Sequence, residues 1–304
     1  VSPDRLIQKW IDWLTWMHRP IAIFFWSLLL LAAGYAVSCQ WTRFSAASTG
    51  VLAPDNWLWL FAAWFVLKGF HELGHAVVCR MYGGRVGKLG LMLILFAPLT
   101  YVDVSSSWRF TSRWHRIHVA LAGIFMDLGI AAIAAILWSI TTSELIGHRL
   151  YGIILIGTVS TLIFNANPLM KSDGYFVLTD LCGIPNLHML ARDEIIFNLK
   201  RILGEPSISR SAFTARTSML LIAFGILVWA WRLFIYLCLI IGTMTLFYGA
   251  GIVIACFIGI SLALPALLSL WRLVNSEVIA SHGNLLSRSV LGVTLLLLFV
   301  SFCW

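Results

Sequence analysis

The sequence predicts an all-α, multi-pass membrane protein with about seven transmembrane helices. Of its 304 residues, 60% are apolar and 11% charged, with a mean hydropathy of +0.90, whereas soluble domains run nearer 25% charged. The apolar residues fall in blocks long enough to cross a bilayer, which takes about 20 helical residues. Most of the charge falls in short stretches between those blocks, as expected of a chain that crosses several times. A soluble enzyme, a disordered chain and a disulfide scaffold are excluded on the same grounds.

In chain order the spans are about Ile21 to Cys39, Trp57 to Cys79, Ile117 to Ile140, Leu150 to Pro168, Met219 to Ile241, Phe247 to Trp271 and Val290 to Trp304, the last cut short. Arg232 interrupts the fifth and sits either at an interface or along a polar interior. Between Gly83 and Ser107 the glycines, Pro98 and short apolar runs predict a re-entrant hairpin or small sheet after the second span. Non-helical backbone at that depth must be buried in protein or line a cavity. The chain reads as one membrane-embedded domain over residues 1–304, with a core at about 57–181 and flanking spans at about 21–39 and 217–304. It starts at Val1 and stops at Trp304 inside an apolar run, and so reads as an excerpt of a longer protein.

The net charge is +8, and Lys and Arg gather in alternate loops. Arg5, Lys9 and Arg19 precede span one; Arg80, Arg85, Lys88, Arg109, Arg113 and Arg116 follow span two; Lys171, Arg192, Lys200, Arg201, Arg210 and Arg216 follow span four. By the positive-inside rule the N-terminus is cytoplasmic, and spans two and four run inward. The lipid bilayer is the expected partner of the basic surface, and nucleic acid is not. The six cysteines form no CxxC pair and mostly occupy apolar stretches, where a thiol behaves as a small hydrophobe. The 15 tryptophans fit an aromatic belt.

The chemistry concentrates in span two, which carries His71-Glu72-Leu73-Gly74-His75. Four helical residues advance by about 400°, so the two imidazoles share a face one turn apart and can reach one zinc ion. Glu72 between them can act on a water in the fourth coordination position. Zinc brings the pKa of such a water to about 7, and the carboxylate takes its proton as it attacks a peptide carbonyl. The pattern also arises by chance in soluble proteins; inside an apolar span, however, ionisable residues are costly and normally functional.

A catalytic zinc needs a third protein ligand. Asp173 follows the string Asn165-Ala166-Asn167-Pro168 at the inner end of span four, where Pro168 should open the helix. His71, His75 and Asp173 therefore lie at the same, cytoplasmic side. Taken alone, Asp173-Gly174 reads as an ordinary turn.

HELGH in one span and NxxPxxxxDG two spans later resemble the site-2 protease family of intramembrane zinc metalloproteases. The likeness covers about Trp57 to Leu181. Its wording (HELGHAVVCRMYGG, DVSSSW, NANPLMKSDGYFVLTDL) is similar to a bacterial branch of peptide zinc metalloproteases, often associated with export adaptor machinery. The resemblance implies a bacterial cytoplasmic membrane location, one Zn2+ per chain held by His71, His75 and Asp173, and Glu72 as general base. Asn165, Asn167 and Pro168 fall in the motif where opened backbone and amide groups help hold an extended substrate. The family often has Gly followed four residues later by Asn in span three; here Gly123 is followed by Asp127. Lys171 and Ser172 replace apolar residues before Asp-Gly, and Tyr175 stands where many members have Gly.

Two further charges lie inside the spans. Lys68 shares the helical face of His71 and His75, and Asp127 lies at similar depth in span three. An unpaired charge there is costly, so either the two pair or one of them contacts the site. His115, His118, His18, His148, His188 and His282 sit near span ends and read as interfacial.

The leading expectation is a zinc endopeptidase that cleaves a membrane-bound or membrane-delivered peptide, its site toward the cytoplasm. The alternative is a non-proteolytic scaffold component of a peptide export or maturation complex. An ion transporter would want more intramembrane charge.

Overall fold

A computed structural model describes residues 20–94, 97–202 and 213–274. The chain separates into two compact units, Val1–Pro185 and Asn186–Trp304. Four helices among the described residues are long and apolar enough to cross a membrane: Pro20–Cys39, Arg113–Ile140, Glu144–Asn165 and Ala215–Thr245. Large apolar side chains cover their outer faces, with Phe24 63% and Leu31 71% exposed; in water such patches would be aggregation surfaces, and against lipid they are satisfied.

In the first unit, α1 (Pro20–Cys39) and a short α2 (Trp41–Ala46) lead through a 3-10 turn at Pro54–Asn56 into α3 (Trp57–Met81). α3 carries the HExxH pattern and is 25 residues long, but its Lys68, Glu72 and two histidines keep it out of the apolar four. Gly83, at φ +81°, takes the left-handed turn that a side chain would strain, and the chain then enters a two-stranded sheet. β1 (Leu89–Ile94) and β2 (Ala97–Val102) pair antiparallel, Leu89 opposite Val102 and Ile94 opposite Ala97. This is the small sheet expected after the second span. Val102 packs with Met81 on Ala76, Val77 and Val86, which holds the sheet against α3.

A 3-10 turn (Ser105–Arg109) precedes α4 (Arg113–Ile140). Ala131, Ala132, Ala134 and Ala135 are all buried on α4, and small residues let helix backbones approach where lipid supplies no hydrophobic drive. Ala132 and Ala135 join Trp138, Ala33, Tyr151 and Ile154 in a cluster, where the Phe44 ring meets those of Trp138 and Tyr151 edge-on at 5.4 and 4.9 Å. α5 (Glu144–Leu155) starts at Ser143, whose hydroxyl caps it, and continues as a π-helix over Ile156–Asn165. π turns are rare and favour functional sites. After Asn165 the backbone opens through residues 166–172, around Pro168, before α6 (Asp173–Cys182) begins.

The second unit holds α7 (Leu187–Ile202) and α8 (Ala215–Val274). Buried Glu194 accepts hydrogen bonds from Ser218 Oγ and Asn198 Nδ2, which neutralises its desolvation cost. The basic stretch expected as a loop after span four is thus partly the helix α7. The expected fifth and sixth spans fall on one helical stretch, α8. The expected seventh span lies outside the described residues.

Candidate metal centre

α3 and α4 build the centre, and α6 closes it. His71 and His75 are buried at 3% and 7% exposure, with their Nε2 atoms 3.1 Å apart. Asp173, the first residue of α6, places Oδ2 3.0 Å from His71 Nε2 and Oδ1 3.4 Å from His75 Nε2.

The outer nitrogens are already committed. His71 Nδ1 donates to Asp127 Oδ2 at 2.8 Å, and His75 Nδ1 donates to the Val119 carbonyl at 2.7 Å. With Nδ1 engaged in this way, each ring turns Nε2 toward the other ligands. Two imidazole Nε2 atoms and a carboxylate therefore converge on one point, the donor set of a zinc site. The spacings also suit zinc: bonds of about 2.0 to 2.1 Å in a tetrahedron put neighbouring ligand atoms about 3.3 Å apart. His71, His75 and Asp173 could hold a metal ion.

One stripe of α4 serves this centre. A Cβ at Gly123 would collide with the His71 ring and come within 2.6 Å of His75 Nε2, so only glycine lets α4 approach the imidazoles. Asp127, one turn on, is 3% exposed. Its Oδ2 accepts from Thr161 Oγ1 at 2.7 Å and Asn165 Nδ2 at 3.4 Å as well as from His71, while Oδ1 is buried without a partner.

Of the two alternatives expected for Lys68 and Asp127, the geometry shows a contact with the site and not a direct pair. Lys68 Nζ donates to Asn165 Oδ1 at 3.1 Å, so Asn165 bridges the lysine and the acid. Helical periodicity places Lys68 on the metal face, but the π turn inserts the Asn165 amide between them. Asp127 contacts the site directly.

Glu72 is half-buried, and its Oε2 accepts from the Val102 amide at 3.0 Å. The sheet thereby orients the carboxylate. Glu72, His75 and Asp173 line one cleft of about 290 Å³ with Val102, Asp103, Ser105, Trp108, Arg116, Phe176 and Asp180. Hydrogen bonds from the Ser105 side chain and amide hold the Asp103 carboxyl below its usual range.

Asn165, Asn167 and Pro168 are not among the lining residues. Asn167 Oδ1 accepts from the Leu169 amide at 2.8 Å, an Asx turn that stabilises the opened segment. At sequence level Thr161, Val119, Val102, Arg116 and Asp180 carry no signal for the site, because each reaches it only through packing.

The chain is similar to the "Putative peptide zinc metalloprotease protein YydH" of Bacillus subtilis (strain 168), 30% identical over 114 residues. The match covers 36% of this chain and 41% of that protein, so the chain spans well under half of the relative's length. No family model matches the chain. No solved structure matches it.

Proposed function

We propose that this chain is an intramembrane zinc metalloprotease that hydrolyses a peptide bond in a membrane-bound or membrane-delivered peptide. The observation that carries the reading is the convergence of His71 Nε2, His75 Nε2 and the Asp173 carboxylate at 3.0 to 3.4 Å beside the cleft that Glu72 lines. One zinc per chain is held by these three residues. When bound, zinc supplies Lewis-acid chemistry, making water acidic near pH 7 and polarising a carbonyl.

The chain's own residues do the rest. Glu72, anchored through Oε2 on the Val102 amide, keeps Oε1 to accept a proton from the attacking water and passes it to the departing amine, the general-base and general-acid steps of one carboxylate. A helical peptide hides its carbonyls in its own hydrogen bonds, so the substrate is taken extended, along the hairpin wall from Val102 to Ser105 and toward the opened Asn165 to Pro168 backbone. Asp127 and the Val119 carbonyl fix the imidazoles before substrate arrives, and such outer contacts are worth about 10- to 100-fold in metal affinity.

In the proposed arrangement the protein crosses a bacterial cytoplasmic membrane seven times as a single membrane domain. The N-terminus and the site face the cytoplasm, and export adaptor machinery delivers the peptide.

The test is zinc content of detergent-purified wild type beside His71→Ala, Glu72→Ala and Asp173→Ala, with cleavage of a membrane peptide followed in parallel. The expected result is about one zinc per chain, lost in the His and Asp variants and retained without activity in Glu72→Ala. Zinc indifferent to all three changes, or none in wild type, would support the scaffold reading instead.

A further inference from the structure

The stripe of α4 that meets the imidazoles continues one step further toward its N-terminus. Arg116, Val119, Gly123 and Asp127 lie within about 80° of arc on the helix. The last three act at His71 and His75. Arg116 acts on the element that brings the third ligand. Its Nε donates to Asp180 Oδ1 at 2.7 Å, Nη2 lies 2.6 Å from the same oxygen, and Nη1 donates to the Phe110 carbonyl at 2.7 Å.

Asp180 belongs to α6, whose first residue is Asp173. Seven residues are two turns, which puts the two carboxylates within about 20° of the same helical face. A helix of ten residues transmits a displacement at one end to the other with little loss. At its start α6 lies hard against the opened segment: a Cβ on Gly174 would collide with the Ala166 carbonyl oxygen. At the second turn and beyond, the guanidinium holds it. The pair is 24% and 12% exposed at its side chains, enough burial to escape most solvent screening, and the planar fork of Arg engages the acid and the Phe110 carbonyl at once, which a lysine cannot reproduce. Through Phe110 the same guanidinium steadies the turn that carries Trp108, whose ring meets Phe176 of α6 edge-on at 5.3 Å.

We infer that Arg116 and Asp180 are the positioning pair for the third metal ligand: they set where the Asp173 carboxylate stands relative to His71 and His75, and so the affinity and coordination geometry for a divalent cation. The inference rests on the metal-centre reading above.

The experiment uses the full chain in detergent with Co2+ as a spectroscopic probe. Wild type, Arg116→Gln, Asp180→Asn, Arg116→Lys and the exchanged pair Arg116→Asp with Asp180→Arg are compared. The readouts are Co2+ affinity, the visible spectrum of the bound ion, and amide hydrogen exchange over residues 173–182. The two neutral single variants should lose tenfold or more in Co2+ affinity, shift the visible bands and exchange faster over α6. Arg116→Lys and the exchanged pair should recover part of the loss. Faster exchange with an unchanged spectrum and affinity would make the pair a structural strap and overturn the inference, as would unchanged exchange in both neutral variants. Asp180→Asn, nearly isosteric, carries the test if Arg116→Gln fails to fold. Wild type that binds no Co2+ would overturn the metal-centre reading itself, whereas wild-type binding with indifferent variants overturns only the positioning role.

Discussion

Gly123→Ala is the smallest change that reaches the metal centre, and its two effects oppose each other. On helix propensity alone, alanine stabilises a helix interior by about 1 kcal/mol relative to glycine. The added methyl, however, would stand 2.6 Å from His75 Nε2, against about 3.4 Å for an ordinary contact, and would collide outright with the His71 ring. Relief of the His75 contact alone requires the imidazoles or the helix to move by about 0.8 Å, and the His71 clash requires more. The rings cannot swing alone, because His71 is tied to Asp127 and His75 to the Val119 carbonyl; α3 and α4 must part or those bonds must lengthen. Overpacking of this kind costs about 1 to 3 kcal/mol, so the net destabilisation is about 0 to 2 kcal/mol. Metal sites tolerate about 0.2 Å in ligand distance, at most a quarter of the required shift. The protein should therefore fold, with a thermal midpoint in detergent near that of wild type, and lose zinc affinity by well over tenfold in a chelator-competition titration. Zinc affinity equal to wild type in a folded Gly123→Ala protein would refute the close approach of α4 to the imidazoles.

Further expectations follow from the same geometry. Asp127→Asn keeps an oxygen able to accept the His71 Nδ1 proton, so zinc content should persist with a modest drop in affinity, whereas Asp127→Leu should lose about 10- to 100-fold; equal affinities in chelator titration would remove the acid's orienting role. Thr161→Val strips one donor from buried Asp127 Oδ2 and should cost about 1 to 3 kcal/mol, read from unfolding in detergent, with no loss expected if that bond is absent. Gly174→Ala would drive a methyl into the Ala166 carbonyl and displace Asp173, so zinc stoichiometry should fall while His71 and His75 remain in place. A chelator should abolish peptide cleavage and zinc should restore it, measured on one membrane peptide; cleavage that survives complete metal removal would exclude the hydrolytic mechanism.

How much of this was readable from the chain depends on the distance over which each feature is encoded. The apolar blocks, the helix over Trp57–Met81 and the His71 to His75 spacing are written within a few turns, so composition and the 3.6-residue period suffice. Gly83, Pro98 and Pro168 act on their own backbone, and for that reason the small sheet and the opening before Asp173 were expected at the right places. Partners across elements were not. Lys68 and Asp127 were both legible as intramembrane charges, yet periodicity places a residue on a face without saying which side chain of another helix stands opposite, and the π turn put Asn165 between them. Asn165 and Asn167 sit in the motif but spend their side chains on Lys68, Asp127 and the Leu169 amide. Thr161, Val119, Val102, Arg116 and Asp180 are chemically ordinary in sequence. Only the packing of α3, α4, α6 and the sheet brings them to the centre, because hydrogen bonds and steric contacts act over 3 to 4 Å between residues that the chain separates by tens of positions.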